Sequence, residues 1–282
     1  MAIATRDRAD RLAGTLTRLS ALPERPAIVV ADNASTDGTR ALVAEHFPHV
    51  RLLALPRNHA AVARNLAVAV LDTPVVAFSD DDSWWEPGAL ALAVELLRDH
   101  PRLGLLAAAT RVGAEGAEDP LNAVLARSPL GRPPDLPGPS VLGFLGCAAV
   151  ARRSAFLDAG GYHPMLGIGG EEALLAYDLS ARGWGVAYCP EVVARHDPDD
   201  GPRPERRTVV RRNEVLTCWL RRPLPVAAGR TARLARRARR DPEAARALRG
   251  VLSGLPAALR LRDPLPPWTE NAVRRLEAGD AR

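Results

Sequence analysis

Three consecutive carboxylates, Asp80-Asp81-Asp82, follow the apolar run Pro74-Val75-Val76-Ala77-Phe78 and precede Trp84-Trp85-Glu86-Pro87. Carboxylates packed this closely repel one another unless a cation or hydrogen-bond donors offset them. A hard divalent ion with oxygen ligands is the simplest offset, and it also holds phosphates. In an extended segment Asp80 and Asp82 project to the same side, so both can face one ion. For the triplet alone, a solvated turn capping the next helix explains the acids equally well.

Other polar residues recur at comparable places. Asp32-Asn33 closes the apolar run Ala27-Ile28-Val29-Val30, and Asn58-His59 with Arg64-Asn65 follows Val50–Leu55. A strand-end carboxylate such as Asp32 can accept from a base N–H or a ribose hydroxyl, and Arg64 can reach a phosphate or a base edge. Taken singly, Asp32 reads more simply as a turn former and Arg64 as a solvated charge. Glu171-Glu172 opens a helical pattern behind Gly169-Gly170. Adjacent helical residues point about 100° apart, so one carboxylate can face a cleft while the other pairs or solvates. A helix N-terminus favours the ionised form, and an ionised carboxylate can act as a general base. His196, after a short apolar run, can add an imidazole to a metal or touch a diphosphate. Trp84-Trp85 could form a sugar platform, although core packing suits at least one of them.

The elements that must position these groups alternate strand and helix. Strands are expected at Ala2–Ala4, Ala27–Val30, Val50–Leu55, Pro74–Phe78 and Leu103–Ala109. Helices are expected at Arg8–Leu19, up to His46 with Ser35 or Thr36 as N-cap, His59–Val70 and Glu86–Arg98. This rhythm predicts an α/β, doubly wound, mostly parallel sheet. Strand ends in such a sheet share one edge, where open α/β sheets bind ligands. Only four residues precede Thr5, so the first strand is short or starts upstream of Met1. Residues 111–140 are rich in Gly, Pro and Ala and read as a variable, partly mobile loop over a site. A helix from Gly169 to about Arg182 and short strands at Val186–Tyr188 and Val192–Ala194 follow. Beyond Arg203 the pattern is helical and broken by prolines.

Composition narrows the setting. All 38 basic residues are Arg, and the net charge of +5 hides an asymmetry. Residues 1–202 carry 18 Arg against 25 acids, whereas 203–240 carry 13 Arg against 2. We therefore divide the chain into a domain at 1–202 and a basic, Pro-interrupted helical C-terminal region at 203–282. The basic stretch suits an anionic membrane surface or a phosphate-bearing acceptor; the plain reading is a solvated face pairing back onto the acidic body. It lacks a recognition motif for nucleic acid. Cys147, Cys189 and Cys218 have no Cys-x-x-Cys spacing and suit a reducing cytoplasm. No apolar run approaches the ~18 residues that span a bilayer, so a cytoplasmic location, peripheral at the inner face of the membrane, is expected.

Five segments in order, covering residues 1 to about 198, resemble the family-2 nucleotide-sugar glycosyltransferases of the GT-A fold. They are Ala4-Thr5-Arg6-Asp7-Arg8, Asp32-Asn33-Ala34-Ser35-Thr36-Asp37-Gly38-Thr39, Asn58 to Asn65, Ser79 to Pro87, and Glu171-Glu172 with Gly183-Trp184. The resemblance implies an inverting transfer of a sugar from a nucleoside-diphosphate sugar to a carbohydrate or lipid-linked acceptor, assisted by Mg²⁺ or Mn²⁺. It places Thr5, Arg6, Asp32, Asn58, Arg64, Asp80 and Asp81 at the nucleotide sugar. Asp80 and Asp82 match the outer acids of the DXD motif, with Asp82, Asp80 and His196 toward the metal. Glu172 matches the proposed base, with Glu171 in reserve. Two departures stand out: Glu172 replaces the family's usual Asp, and Ala4-Thr5-Arg6-Asp7 replaces Pro-Thr-Tyr-Asn, which exchanges an aromatic stack for a cation. A sugar-nucleotide-forming nucleotidyltransferase would need a Gly-rich first loop that is absent here. A catalytically degenerate nucleotide-sugar-binding scaffold is the non-enzymatic alternative; turnover separates the two.

Overall fold

A computed structural model describes residues 1–199 and 205–279. The first half alternates as expected: β1 (Ala2–Thr5), α1 (Ala9–Ser20), β2 (Val29–Asp32), α2 (Thr39–His46), β3 (Arg51–Ala54), α3 (Val62–Val70) and β4 (Val75–Asp80). After β5 (Ser83–Trp85) come α4 (Ala89–Asp99), β6 (Leu103–Val112), β7 (Ala117–Glu118), α5 (Pro120–Ala126), β8 (Ala149–Arg152) and α6 (Arg153–Asp158). The elements of the sheet layers end with α7 (Glu171–Ala181) and β9 (Gly185–His196). Four helices follow: α8 (Arg206–Arg221), α9 (Leu224–Ala238), α10 (Pro242–Arg260) and α11 (Pro267–Gly279).

The strands form one sheet in the order β3-β2-β1-β4-β8-β6-β9-β5, with β7 on β6. β1 to β4 are parallel. β8 runs antiparallel to both β4 and β6, so those two point the same way, and β9 is parallel to β6. The C-terminal ends of β1, β2, β4, β6 and β9 therefore share one edge. Helices cover both faces. The periodic Leu12, Leu16 and Leu19 of α1 join Leu90, Ala93 and Leu97 of α4 on one side. Ala63, Ala67 and Val68 of α3 join Phe156, Leu175 and Leu179 on the other. Each large apolar side chain so buried contributes roughly 1.5–3 kcal/mol. Trp85 is in this core, its Nε1–H donating to the Phe78 carbonyl at 3.2 Å. Trp84 is partly exposed and carries the Arg18 guanidinium 4.2 Å from its ring centroid.

Several local expectations change. α2 is capped at Gly38 with no side-chain cap, because the Ser35 hydroxyl accepts from the Asp7 N–H and the Thr36 hydroxyl donates to the Asp7 carboxylate. The helix expected from Glu86 starts at Ala89, after the left-handed Gly88 at φ 85°. The two short strands at 186–194 are one bulged strand, β9. Residues 111–140 contain β7 and α5, and Leu136 is buried beneath Gly185 at the start of β9. Arg102 pairs with Asp135 there. That part of the stretch thus lies at the strand edge opposite the acidic triplet, which removes it as a cover for the acids.

The C-terminal helices are fastened to the sheet layers. Asp178 of α7 and Arg221 of α8 form a buried two-point ion pair. Arg222, 2% exposed at its side chain, pairs with Glu270 and Glu277 of α11, and Val273 of α11 joins the sheet core. Among the described residues no helix is long and apolar enough to cross a membrane.

Candidate active site

The register fixes the acids relative to one another. Thr5 pairs with Asp32 and Ala4 with Asp80, so Asp32 and Asp80 flank the end of β1, one strand away on either side. Asp81 and Asp82 lie in the turn between β4 and β5. His196 ends β9 and pairs with Ser83. Glu171 and Glu172 open α7 behind Gly169 and Gly170, whose φ values of 96° and 90° exclude ordinary side chains.

Each acid of the triplet has its own partners. Asp80 takes an ion pair from Arg64, and its N–H donates to Ser83 Oγ at 2.7 Å. Asp81 accepts from Thr5 Oγ1 at 2.8 Å, and Arg8 Nε lies 2.8 Å from its carboxylate. Burial pushes the Asp81 carboxyl up to about 6, although Arg8 and Thr5 pull it down. Asp82 takes Arg8 Nη2 at 2.8 Å and has His196 Nε2 at 3.4 Å. Burial alone would lower the His196 pKa; Asp82 and Asp80 outweigh it and raise it.

Arg64 connects the triplet to the glutamates. It is buried, pairs with Asp80, and lies 5.7 Å from the Tyr162 ring centroid. Burial works against its charge, and the Asp80 carboxylate more than offsets that and keeps it firmly protonated. Tyr162 is 1% exposed and stacks edge-on against Phe78 and Phe156. Glu171 is 3% exposed; burial and then the Glu172 charge push its carboxyl well up. Glu172, half-buried, is also raised by burial, while the backbone at the start of α7 and the Arg64 charge work the other way. Four buried polar atoms at this site, Arg8 Nε, Arg64 Nε, Tyr162 Oη and Glu171 Oε2, have no hydrogen-bond partner in the protein. Such orphans are rare in folded cores and mark places built to meet another group.

The remaining expected residues sit at the rim or support it. Asp32 is fully buried; Ser35 N–H at 3.1 Å and Arg40 use its carboxylate to fix the 33–40 turn. Arg6 is exposed in the first loop beside Asp7. Asn58 is exposed and accepts from Ala60 N–H at 2.8 Å. Asn33 braces the same turn, accepting from His59 N–H at 2.9 Å.

Four contributors escaped the sequence reading. Arg8 grips two of the triplet acids. Tyr162 underlies Arg64. Gly146 approaches Glu172 so closely that an added Cβ would lie 3.2 Å from Oε1. Cys147 offers a sulfur within 4.8 Å of ligand atoms of Asp80 and His196. Arg8 was visible in the first-loop segment, but its partners are 73 and 74 positions away. Cys147 stands in no ligand spacing, and nothing local marks it.

The donor set fits a divalent ion. Among the described residues the clustered ligand atoms are those of Asp80, Cys147 and His196, one carboxylate, one thiol and one imidazole; Asp82, the expected principal ligand, stands outside this set, with its Oδ1 3.4 Å from His196 Nε2. The spread of 4.8 Å across Asp80, Cys147 and His196 is small enough for one ion to reach all three.

Comparison with known proteins agrees with this geometry. Residues 1–160 match the sequence profile described as "Glycosyl transferase family 2". An N-acetylglucosaminyl-diphospho-decaprenol L-rhamnosyltransferase of Mycobacterium tuberculosis is 30% identical over 217 residues, 64% of this chain and 70% of that protein. Among solved structures, a mannosyltransferase of Pyrobaculum calidifontis in complex with GDP-Man and Mn²⁺ superposes with a TM-score of 0.59 at 22% identity. That match covers 99% of this chain and 74% of the other. TarS 1–349 of S. aureus in complex with UDP-GlcNAc gives 0.58 at 16% identity, over 81% and 68%. The sheet, its shared acidic edge and the matched sequence together place this chain in glycosyltransferase family 2, with the GT-A fold.

Proposed function

We propose that the protein is a divalent-cation-dependent, inverting glycosyltransferase that moves a sugar from a nucleoside-diphosphate sugar to an acceptor hydroxyl. The observation that carries this reading is the continuity from Asp82 and His196 through Asp80 and Arg64 to Glu171 and Glu172. Charges of both signs meet at one sheet edge, as a diphosphate donor and a deprotonating acceptor require.

The roles follow from placement. Thr5 and Asp81 hold each other at the end of β1, beside the nucleoside. Asp32 shapes the 33–40 turn on the base side, with Arg6 and Asn58 at the rim. Asp82, Asp80 and His196 would hold the ion, and a bound ion would offset charge growing on the diphosphate leaving group. Arg64 keeps Asp80 oriented and stabilises negative charge between the two carboxylate clusters. Glu171, kept protonated by burial, leaves Glu172 as the charged member of the pair. Glu172 accepts the acceptor's hydroxyl proton as that oxygen attacks the anomeric carbon and the bond to the diphosphate breaks. A single displacement inverts the anomeric configuration.

The acceptor side lies toward the C-terminal region, which we treat as the second functional unit at 203–282. Val209 and Val210 in the first turn of α8 pack against Gly169, next to the glutamates. The Arg211–Asp241 pair brings the end of α9 to that same end of α8. Exposed Arg206, Arg207, Arg236, Arg237, Arg239 and Arg240 therefore gather near the acceptor side. This charge suits a lipid-linked acceptor at an anionic membrane surface, in line with the decaprenol-linked substrate named for the mycobacterial relative. A screen of nucleotide sugars with Mn²⁺, reading nucleoside diphosphate release and product anomeric configuration by NMR, tests the reaction. An inverted product supports it; no release with any donor, or retention, contradicts it.

A further inference from the structure

The acidic triplet already holds a cation of the protein's own. Arg8, in the loop between β1 and α1, sets Nε 2.8 Å from Asp81 and Nη2 2.8 Å from Asp82. Its third nitrogen, Nη1, lies 2.6 Å from Asp199. One turn along, Arg11 pairs with Asp197 and Asp199, and the Asp197 N–H donates to the Asp82 carbonyl at 2.9 Å. One guanidinium thus sits between two adjacent carboxylates and the segment that leaves β9, hydrogen-bonded to Asp82 and Asp199 and ion-paired with Asp81 through an Nε–H that makes no hydrogen bond. Only the planar fork of Arg can span the two carboxylates in this way.

Asp82 is approached from two sides. Arg8 is on Oδ2, while Oδ1 faces His196 Nε2 at 3.4 Å. Asp82 stands outside the Asp80, Cys147 and His196 cluster and joins it only in the donor-site reading; an ion that took its Oδ1 would share Asp82 with a positive guanidinium, and like charges on one carboxylate disfavour each other.

We propose that Arg8 is a resident counter-ion of the acidic triplet that competes with the divalent cation for Asp82. The guanidinium stabilises the clustered acids when no ion is bound. It yields Asp82 to the ion when a nucleoside diphosphate offers it an alternative anionic partner. Arg8 is therefore a positioning residue that makes metal binding weak without nucleotide. This rests on the donor-site reading above.

Free Mn²⁺, titrated against the protein without nucleotide and counted by EPR, tests the idea without turnover. Arg8→Gln should bind Mn²⁺ roughly tenfold tighter than the parent, a usual size for two ligands coupled through one site. Equal or weaker binding overturns the proposal. Should Arg8→Gln fail to fold, Arg8→Lys replaces it; it keeps a charge but cannot span both acids, so a smaller gain is expected and no gain overturns the proposal. Asp82→Asn distinguishes the two readings. If Mn²⁺ binding depends on Asp82 but not on Arg8, only the counter-ion role fails. If Asp82→Asn changes nothing in either background, the donor-site reading fails as well.

Discussion

Replacing Glu171 by Gln should make the protein more stable at high pH. Glu171 is 3% exposed at the first position of α7, and one of its oxygens lacks a partner. Burial is the largest influence on its carboxyl, followed by the Glu172 charge; the local backbone and Arg64 pull the other way. The result is a carboxyl pushed up to about 8, against about 4.3 in an unfolded chain. Between those values the folded state keeps a proton that the unfolded state has released. Stability therefore falls as pH rises through this window, by at most on the order of 1 kcal/mol per pH unit. Gln is isosteric with the protonated acid and does not ionise. Parent and Glu171→Gln should unfold alike near pH 5 and diverge toward pH 8, with the variant ahead by up to a few kcal/mol. For a chain this long, each kcal/mol moves Tm by roughly 2–4 °C. Thermal unfolding followed by circular dichroism from pH 5 to 8.5 reads the divergence. A constant offset between the two proteins at every pH, or parallel pH profiles, would refute the argument.

Further outcomes follow from other contacts. Glu172→Gln should lower kcat by roughly 10²–10⁴-fold, the usual worth of a general base. Glu171→Gln should retain most of kcat, and a reversal of the two in steady-state assays would make Glu171 the base. Gly138→Ala places a Cβ 1.9 Å from the backbone carbonyl of Tyr188. That contact cannot relax by side-chain rotation, so a loss of about 1–3 kcal/mol or more is expected in urea unfolding. Arg221→Ala leaves Asp178 charged, buried and unpaired, which costs about 3–5 kcal/mol; an unchanged unfolding midpoint would mean that α8 is not integral to the fold. Binding to anionic vesicles should weaken as salt rises and as Arg236, Arg237, Arg239 and Arg240 are replaced by Gln. Sedimentation indifferent to both would remove the membrane-facing role.

Much of the fold is legible because local patterns and tertiary packing agree. The β-branched runs at Val29-Val30 and Val75-Val76, and the Leu12-Leu16-Leu19 stripe, each announce an element whose buried face the structure confirms. The 111–140 stretch is harder to read. Its order comes from distant partners: Leu136 beneath Gly185, Gly138 against the Tyr188 carbonyl, and Asn122, whose amide exchanges two hydrogen bonds with the Thr110 backbone. The placement of the glutamates at a helix start, the triplet at a strand end and His196 at the close of an apolar run is legible because polar residues that interrupt apolar patterns stand out. Arg8, Cys147 and Tyr162 are not, because their roles lie in what surrounds them. An arginine in a chain with 38 of them carries no signal until its carboxylate partners are seen. Asp32 illustrates the reverse case: its strand-end position is evident, but that its carboxylate is spent on the Ser35 amide and Arg40 is a tertiary fact.

The most direct test of the account is nucleotide-sugar turnover by Asp82→Ala beside the parent protein, with Mn²⁺ and an acceptor supplied. The parent should release nucleoside diphosphate and form an inverted glycoside, and Asp82→Ala should do neither while remaining folded. Transfer by Asp82→Ala at the parent's rate would contradict the claim that these acids, gathered at one sheet edge, serve the diphosphate of a sugar donor.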